Sequence, residues 1–149
     1  MNTINVRQAT LSDLDDLVPL FDSYRQFYQQ ESNLSAASEF LSERFNHGEA
    51  VLFIAFVGDT PMGFTQLFPS FSSVSLSRIF ILNDLFVVPE ERHQGIATQL
   101  FSAAVEYART LRAIRLTLST EITNVSAQAF YQTAGWKRDE RFFVYHFVM

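Results

Sequence analysis

The chain has 149 residues, no cysteine, a hydrophobic content of 48% and a formal net charge of −5. That length and composition suit one domain around one buried core and exclude a disordered chain. Without cysteine there are no disulfides, thiolate metal sites or cysteine nucleophile, and an acidic chain with scattered Lys and Arg argues against a nucleic-acid partner.

Residues 4–9 alternate and predict a first strand. Thr10 or Ser12 can cap a following helix, and Asp13, Asp15 and Asp16 favour its positive end. Leu14, Leu17, Val18, Phe21 and Tyr24 keep helical spacing, and the helix is expected to reach the 28–30 region. A second helix is predicted over 35–46, ending near Gly48. The continuous apolar run 51–57 reads as a strand, Gly58-Asp59-Thr60-Pro61 as a turn and 62–68 as the return strand of a hairpin. The Ser-rich stretch 69–77 reads as a surface loop or a frayed edge strand.

A long strand follows over 78–88, then a helix from Gly95 to about Arg112. A strand over 114–118, a short helix over 124–133 and a final strand over 142–148 complete the chain. Strands flanking the 95–112 helix predict a right-handed βαβ unit with parallel strands. The expectation is one mixed α/β domain spanning 1–149, without linker or repeat. The segment 1–7 has no basic region followed by an apolar core, so no secretory leader is expected. No apolar run approaches the ~20 residues of a membrane helix, so no membrane partner is expected. His47, His93 and His146 lie far apart, and no spacing suggests a metal.

The most informative stretch is Val88-Pro89-Glu90-Glu91-Arg92-His93-Gln94-Gly95-Ile96-Ala97-Thr98-Gln99-Leu100. An apolar strand enters a short charged turn, and a helix opens at Gly95. Such a helix start presents unpaired N–H groups and the positive end of the helix dipole, which suits a phosphate. A Walker loop and a dinucleotide fingerprint both require glycine spacings that the five glycines do not provide. Further along stands Asn124-Val125-Ser126-Ala127-Gln128-Ala129-Phe130-Tyr131-Gln132-Thr133-Ala134-Gly135-Trp136.

Arg-x-x-Gly-x-Ala after a strand resembles the pyrophosphate-binding motif of the GNAT superfamily, the acetyl-CoA-dependent N-acetyltransferases. Asn-x-x-Ala-x-x-Phe-Tyr-x-x-x-Gly-Trp resembles that superfamily's second motif, in the expected order. The resemblance implies a mixed, mostly antiparallel sheet of about six or seven strands flanked by about four helices. It implies acetyl-CoA as co-substrate, no metal, a cytoplasmic enzyme and a possible homodimer. Within the superfamily, Leu82-Asn83-Asp84-Leu85-Phe86-Val87 is similar to the diamine (spermidine/spermine) and fungal histone/polyamine acetyltransferases.

On this resemblance the backbone of Arg92, His93, Gln94, Gly95, Ile96, Ala97 and Thr98 holds the pyrophosphate. Leu85, Phe86 and Val87 pair with the pantetheine arm as with an added strand, and Asn124 and Ala127 line the same arm. Tyr131 is the general acid for the leaving thiolate. The acceptor ammonium, with a pKa near 10.4, must lose a proton. The diamine enzymes carry a glutamate at the position of Asn83, which is no base, so Asp84 and Glu121 are the candidates. Tyr24, Tyr28, Glu31 and Asn83 are candidate acceptor-binding residues. The expected activity is acetyl transfer to a primary amine of a small molecule or polyamine. A protein N-terminal or lysine acetylase, and a catalytically weak CoA-binding regulator, are the alternatives.

Overall fold

The structure is a computed structural model describing residues 3–149. Met1 and Asn2, which begin the segment read above for a leader, lie outside the described residues. The chain divides into two compact units, the first ending at Leu118 and the second running Ser119–Met149.

The first unit runs β1 (Ile4–Gln8), α1 (Leu14–Phe27), α2 (Leu34–Asn46), β2 (Val51–Val57), β3 (Thr60–Ser72), β4 (Ser77–Val87), α3 (Ile96–Thr110) and β5 (Leu116–Thr117). The five strands form one sheet in sequence order. The first four pair antiparallel, and β5 pairs parallel to β4. The β4–α3–β5 crossover thus carries the predicted parallel pair.

Local chemistry fixes the first helices. Asp13 accepts the Thr10 N–H (2.8 Å) and pairs with Arg7 (2.7 Å), tying β1 to the start of α1. Buried Asp22 in α1 accepts from Ser32 Oγ (2.6 Å) and the Asn33 N–H (2.8 Å), which holds the α1–α2 connection. Asn33 then caps α2 by accepting the Ala36 N–H at 3.0 Å. Leu17, Phe21, Leu41, Ile54, Phe64 and Phe86 share the core between these helices and the sheet. Tyr107 of α3 packs its ring on Phe53 and Phe80 of the opposite sheet face.

Of the two readings of 69–77, loop or frayed edge strand, the strand holds for most of the stretch and lengthens the hairpin: β3 continues to Ser72 and β4 begins at Ser77. Pro69 does not interrupt it, for a geometric reason. The Phe80 N–H turns away from β3 to the Arg115 carbonyl (3.2 Å), so the Pro69–Phe80 pair exchanges no ladder bonds. Pro69 therefore directs its missing donor to the outer side, where β2 has already ended its pairing at Leu67.

In β4 the register shifts by one: Leu67 faces Leu82 while Gln66 faces Asp84, and Asn83 is the extra residue of a bulge. The shift exchanges the faces of the strand. Before it, Phe80 packs on Tyr107 of α3; after it, Phe86 joins the core under α1.

The second unit holds α4 (Val125–Thr133). Asn124 caps it by accepting the Ala127 N–H at 3.1 Å. Its C-terminus closes with the Trp136 N–H on the Tyr131 carbonyl (3.0 Å) and the Gly135 N–H on the Gln132 carbonyl (3.2 Å). Gly135 takes φ 101, and these are the two bonds of a Schellman close.

The final strand expected over 142–148 is absent; among the described residues the sheet has five strands, not six or seven. Phe142, Phe143, Val144, Tyr145, Phe147 and Val148 are exposed. Apolar, aromatic-rich sequence favours extended backbone, but a strand also needs a ladder, and among the described residues no sheet pairing includes this segment. Likewise β5, expected over 114–118, pairs through Leu116–Thr117 alone.

Candidate active site

The β4–α3 junction is built to present donors. After β4 a short 3-10 turn, Pro89–Glu91, leads to His93 (φ 65) and Gly95 (φ 86), both in the left-handed region. Gly95 is the N-cap of α3 and offers no side-chain cap; the first helical bond runs from the Gln99 N–H to its carbonyl (3.0 Å). The N–H groups of Ile96, Ala97 and Thr98 thus have no partner within the helix. A Cβ on Gly95 would meet nothing within 4 Å, so the glycine serves the backbone turn while the space above it stays open. His93, Gln94 and Thr98 are exposed around it, whereas the Ile96 side chain is core.

Beside this junction the sheet opens. β5 pairs with Phe80 and Ile81 and then stops, so among the described residues the far half of β4 is paired on the β3 side alone. The Val88 N–H bonds the Met62 carbonyl (2.9 Å), which turns Val88 and, by alternation, Phe86 toward β3. Leu85 and Val87 therefore direct their N–H and C=O groups to the open edge. Phe86, grouped with them in the sequence, gives its backbone to β3 and its ring to the core. Arg92 reaches back across this edge: its Nε donates to the Val87 carbonyl (3.0 Å), and its guanidinium lies over Phe27 (5.5 Å) and Phe86 (5.8 Å).

On the α1 side of β4 sits a buried carboxylate. Asp84 is 3% exposed. Its Oδ1 accepts from Asn83 Nδ2 (3.0 Å), and its Oδ2 accepts from Gln66 Nε2. The Tyr24 hydroxyl, with one proton to give, lies between two acceptors, the Asp84 carboxylate and the Asn83 carbonyl at 3.3 Å. Burial pushes the Asp84 carboxyl above its ordinary range, and the Gln66, Tyr24 and Asn83 donors pull it partly back. Tyr24 rests its ring on Phe64 and Phe86 and meets Tyr28 edge-on at 5.1 Å. The structure thus brings together Tyr24, Tyr28, Asn83 and Asp84. Glu31 stands apart in the exposed connection, where its carbonyl accepts from Arg25 Nη1 (3.5 Å). Gln66 is the member that the sequence reading missed; a lone Gln in an apolar strand was its available signal.

In the second unit, the Schellman close sets Tyr131 ring to ring with Trp136 at 5.7 Å, and the Phe130 ring meets Tyr131 edge-on at 5.5 Å. The spacing Tyr-x-x-x-Gly-Trp is therefore a helix end that fixes a half-buried tyrosine. The Asn124 Oδ1 is engaged by its cap bond to the Ala127 N–H, which leaves its Nδ2 as the donor half. Glu121 is exposed in the turn before α4, its carbonyl accepting the Asn124 N–H (3.0 Å). Among the described residues, no group of three His, Asp or Glu could hold a metal ion, and no helix is long and apolar enough to cross a membrane.

A strand running into an uncapped helix start, next to a sheet edge left unpaired, defines an acetyl-CoA-dependent N-acetyltransferase. Residues 15–136 match the acetyltransferase (GNAT) family, and the chain belongs to it. It is 47% identical to the uncharacterized N-acetyltransferase YhfO of Bacillus subtilis, over 95% of both chains. It is 34% identical to a probable acetyltransferase of Haemophilus influenzae, over 70% of this chain and 72% of that one. The crystal structure of a probable acetyltransferase superposes with a TM-score of 0.93 at 40% identity, covering 97% of each chain.

Proposed function

We propose that residues 1–149 act as one catalytic domain transferring acetyl from acetyl-CoA to a primary amine of a small molecule or polyamine. The observation that carries the acceptor class is the buried Asp84 bonded to the Tyr24 hydroxyl, with the Tyr28 ring 5.1 Å from that of Tyr24: a carboxylate with aromatic rings nearby suits an alkylammonium. The diamine-like strand sequence supports the same class.

In this reading the N–H groups of residues 93–98 bind the pyrophosphate, with Gly95 allowing close approach. The edge groups of Leu85 and Val87 pair with the amide arm, and a free N–H there polarises the thioester carbonyl. The Asn124 amide and the Ala127 surface serve the same arm. The amine arrives protonated and passes its proton through the Tyr24 hydroxyl to Asp84. The freed nitrogen attacks the thioester carbonyl carbon, the C–S bond breaks, and the thiolate takes a proton from the Tyr131 phenol. Asp84 is preferred to Glu121 as proton acceptor because the Tyr24 hydroxyl bonds it and burial raises its carboxyl above the ordinary range, whereas Glu121 is exposed in a turn. A cytoplasmic enzyme fits the absence of cysteine, and the exposed apolar segment 142–148 fits a homodimer.

The test is thiol release from acetyl-CoA across a panel of diamines, polyamines, aminoglycosides, amino acids and peptides. Turnover confined to small amines supports the reading. Turnover confined to peptides replaces it with a protein acetylase. A thermal shift with acetyl-CoA but no thiol release supports the regulator.

A further inference from the structure

We propose that Gln66 is a positioning residue, whose side-chain amide holds the Asp84 carboxylate ionised and aimed for its part in the reaction. The inference rests on the reading of Asp84 as proton acceptor.

Gln66 is fully buried in the middle of β3, directly across the ladder from Asp84. Its neighbours in the strand and on the sheet are Phe64, Leu67 and Phe86, among which a polar side chain of this size has no packing reason to be kept. Its Nε2 donates to Asp84 Oδ2. Its Oε1 is buried and has no hydrogen-bond partner among the described residues. Half of the amide is therefore spent on one bond while the other half goes unsatisfied, a cost that a methionine or leucine would avoid. The side chain is there for its donor.

The position of Gln66 explains why one donor matters. Asp84 accepts from Asn83 on its own strand, from Tyr24 of α1 and from Gln66 of β3, while the Thr65 hydroxyl takes the Asp84 backbone carbonyl at 2.8 Å. Tyr24 is the titratable group among these, and the neutral donors Gln66, Tyr24 and Asn83 are what oppose the effect of burial among the described residues. Of the three, Gln66 is the one wholly shielded from water, so its bond is the least replaceable by solvent. The register shift places it there: were Asn83 part of a regular ladder, Asp84 would share the face of Phe80 and Leu82 under α3 and would not meet Gln66 and Tyr24.

The test compares wild type, Gln66→Met and Asp84→Asn. Each is read as kcat/KM for the amine against pH, as KM for acetyl-CoA and as Tm. Gln66→Met removes the donor at nearly constant volume. The expected result is an acidic limb moved to higher pH, with about a tenfold loss near neutrality, the worth of one charge-assisted bond. The loss should disappear at alkaline pH, with KM for acetyl-CoA unchanged and Tm not lowered. A structural role alone would lower Tm and scale the whole profile down without moving the limb. If the limb stays in place in Gln66→Met while Asp84→Asn abolishes it, the role of Gln66 is overturned and that of Asp84 stands. If Asp84→Asn keeps both rate and limb, the proton-acceptor reading falls as well. Should Gln66→Met not fold, Gln66→Leu takes its place. The infrared carboxyl band missing from Asp84→Asn then reads the titration directly: a band that titrates at the same pH with and without the Gln66 amide overturns the proposal.

Discussion

Gly63 of β3 passes so close to Phe86 of β4 that a Cβ at position 63 would lie 2.8 Å from the Phe86 carbonyl. The same Cβ would meet Leu100 Cδ1 at 3.3 Å and Val87 Cγ2 at 3.4 Å. The closest atom is backbone and cannot swing aside. Gly63→Ala should therefore cost about 1–3 kcal/mol, as overpacking does, measurable by denaturant unfolding. It should also weaken acetyl-CoA binding in titration calorimetry, because the strand pushed away is the one with the open edge. A variant with full stability and full affinity would contradict the close approach.

Gly135 makes a separate prediction in the second unit. Its φ of 101 is hostile to a side chain, although a Cβ there would meet nothing within 4 Å. Gly135→Ala should cost about 1–2 kcal/mol through the backbone alone. It should loosen the close that sets Tyr131 against Trp136, so kcat should fall while KM for acetyl-CoA changes little. Tyr131→Phe should lower kcat about a hundredfold or more, the usual range for loss of a general acid. Steady-state kinetics on both variants distinguishes a displaced phenol from a missing one.

The Arg7–Asp13 pair predicts a pH dependence of stability. Hydrogen bonding to Arg7 holds the Asp13 carboxyl below its ordinary 3.8, with the Thr10 N–H helping and partial burial opposing. A lowered folded-state pKa means that the unfolded chain binds the proton more readily. The stabilisation is therefore full above 3.8 and is lost as pH falls through the lower folded value. Arg7 is half-exposed, so solvent screening limits the contribution to roughly 0.5–1 kcal/mol. Asp13→Asn should lower Tm at neutral pH, and the gap to wild type should close in strong acid.

Asp84 predicts the reverse. Burial raises its carboxyl above 3.8, so the folded chain holds the proton more tightly than the unfolded one. Its unfavourable contribution is absent below 3.8 and grows as pH rises through the folded value. Asp84→Asn keeps an oxygen to accept from Gln66 and removes the buried charge. Tm should rise at pH 7–8 relative to wild type while thiol release collapses. A variant less stable at neutral pH would show that the donors outweigh desolvation.

Much of this was legible in the chain. β2 was bounded to the residue because an unbroken apolar run between turn signals leaves little freedom. The helix start at Gly95 and the cap at Asn124 were readable because each backbone need selects few residue types. The hairpin extension was half legible, since serines and Pro69 suit a loop as well as a frayed edge strand; the position of Pro69 beside a bond-free pair is a fact of register, not of composition. The acceptor side was hidden for a similar reason. Phe80, Leu82, Asp84 and Phe86 alternate without a break and read as one face of a strand, and only the pairing with β3 shows that they belong to two. Gln66 was overlooked with them, because its meaning depends on what lies across the ladder.

That hidden exchange means that the placement of Asp84 is decided by counting, not by chemistry. Asn83 contributes a residue's worth of length outside the ladder, so that Leu82 and Asp84 on either side of it look to opposite faces. Deleting Asn83 would remove the bulge and one donor to the carboxylate, yet leave the facing alone: Leu82 and Asp84 would become direct neighbours, still opposite Leu67 and Gln66. What would turn Asp84 over is a slip that draws Asn83 into a regular ladder. Asp84 would then join Phe80 and Leu82 under α3, Phe86 would follow it, and the peptide groups looking out along the unpaired edge would be exchanged.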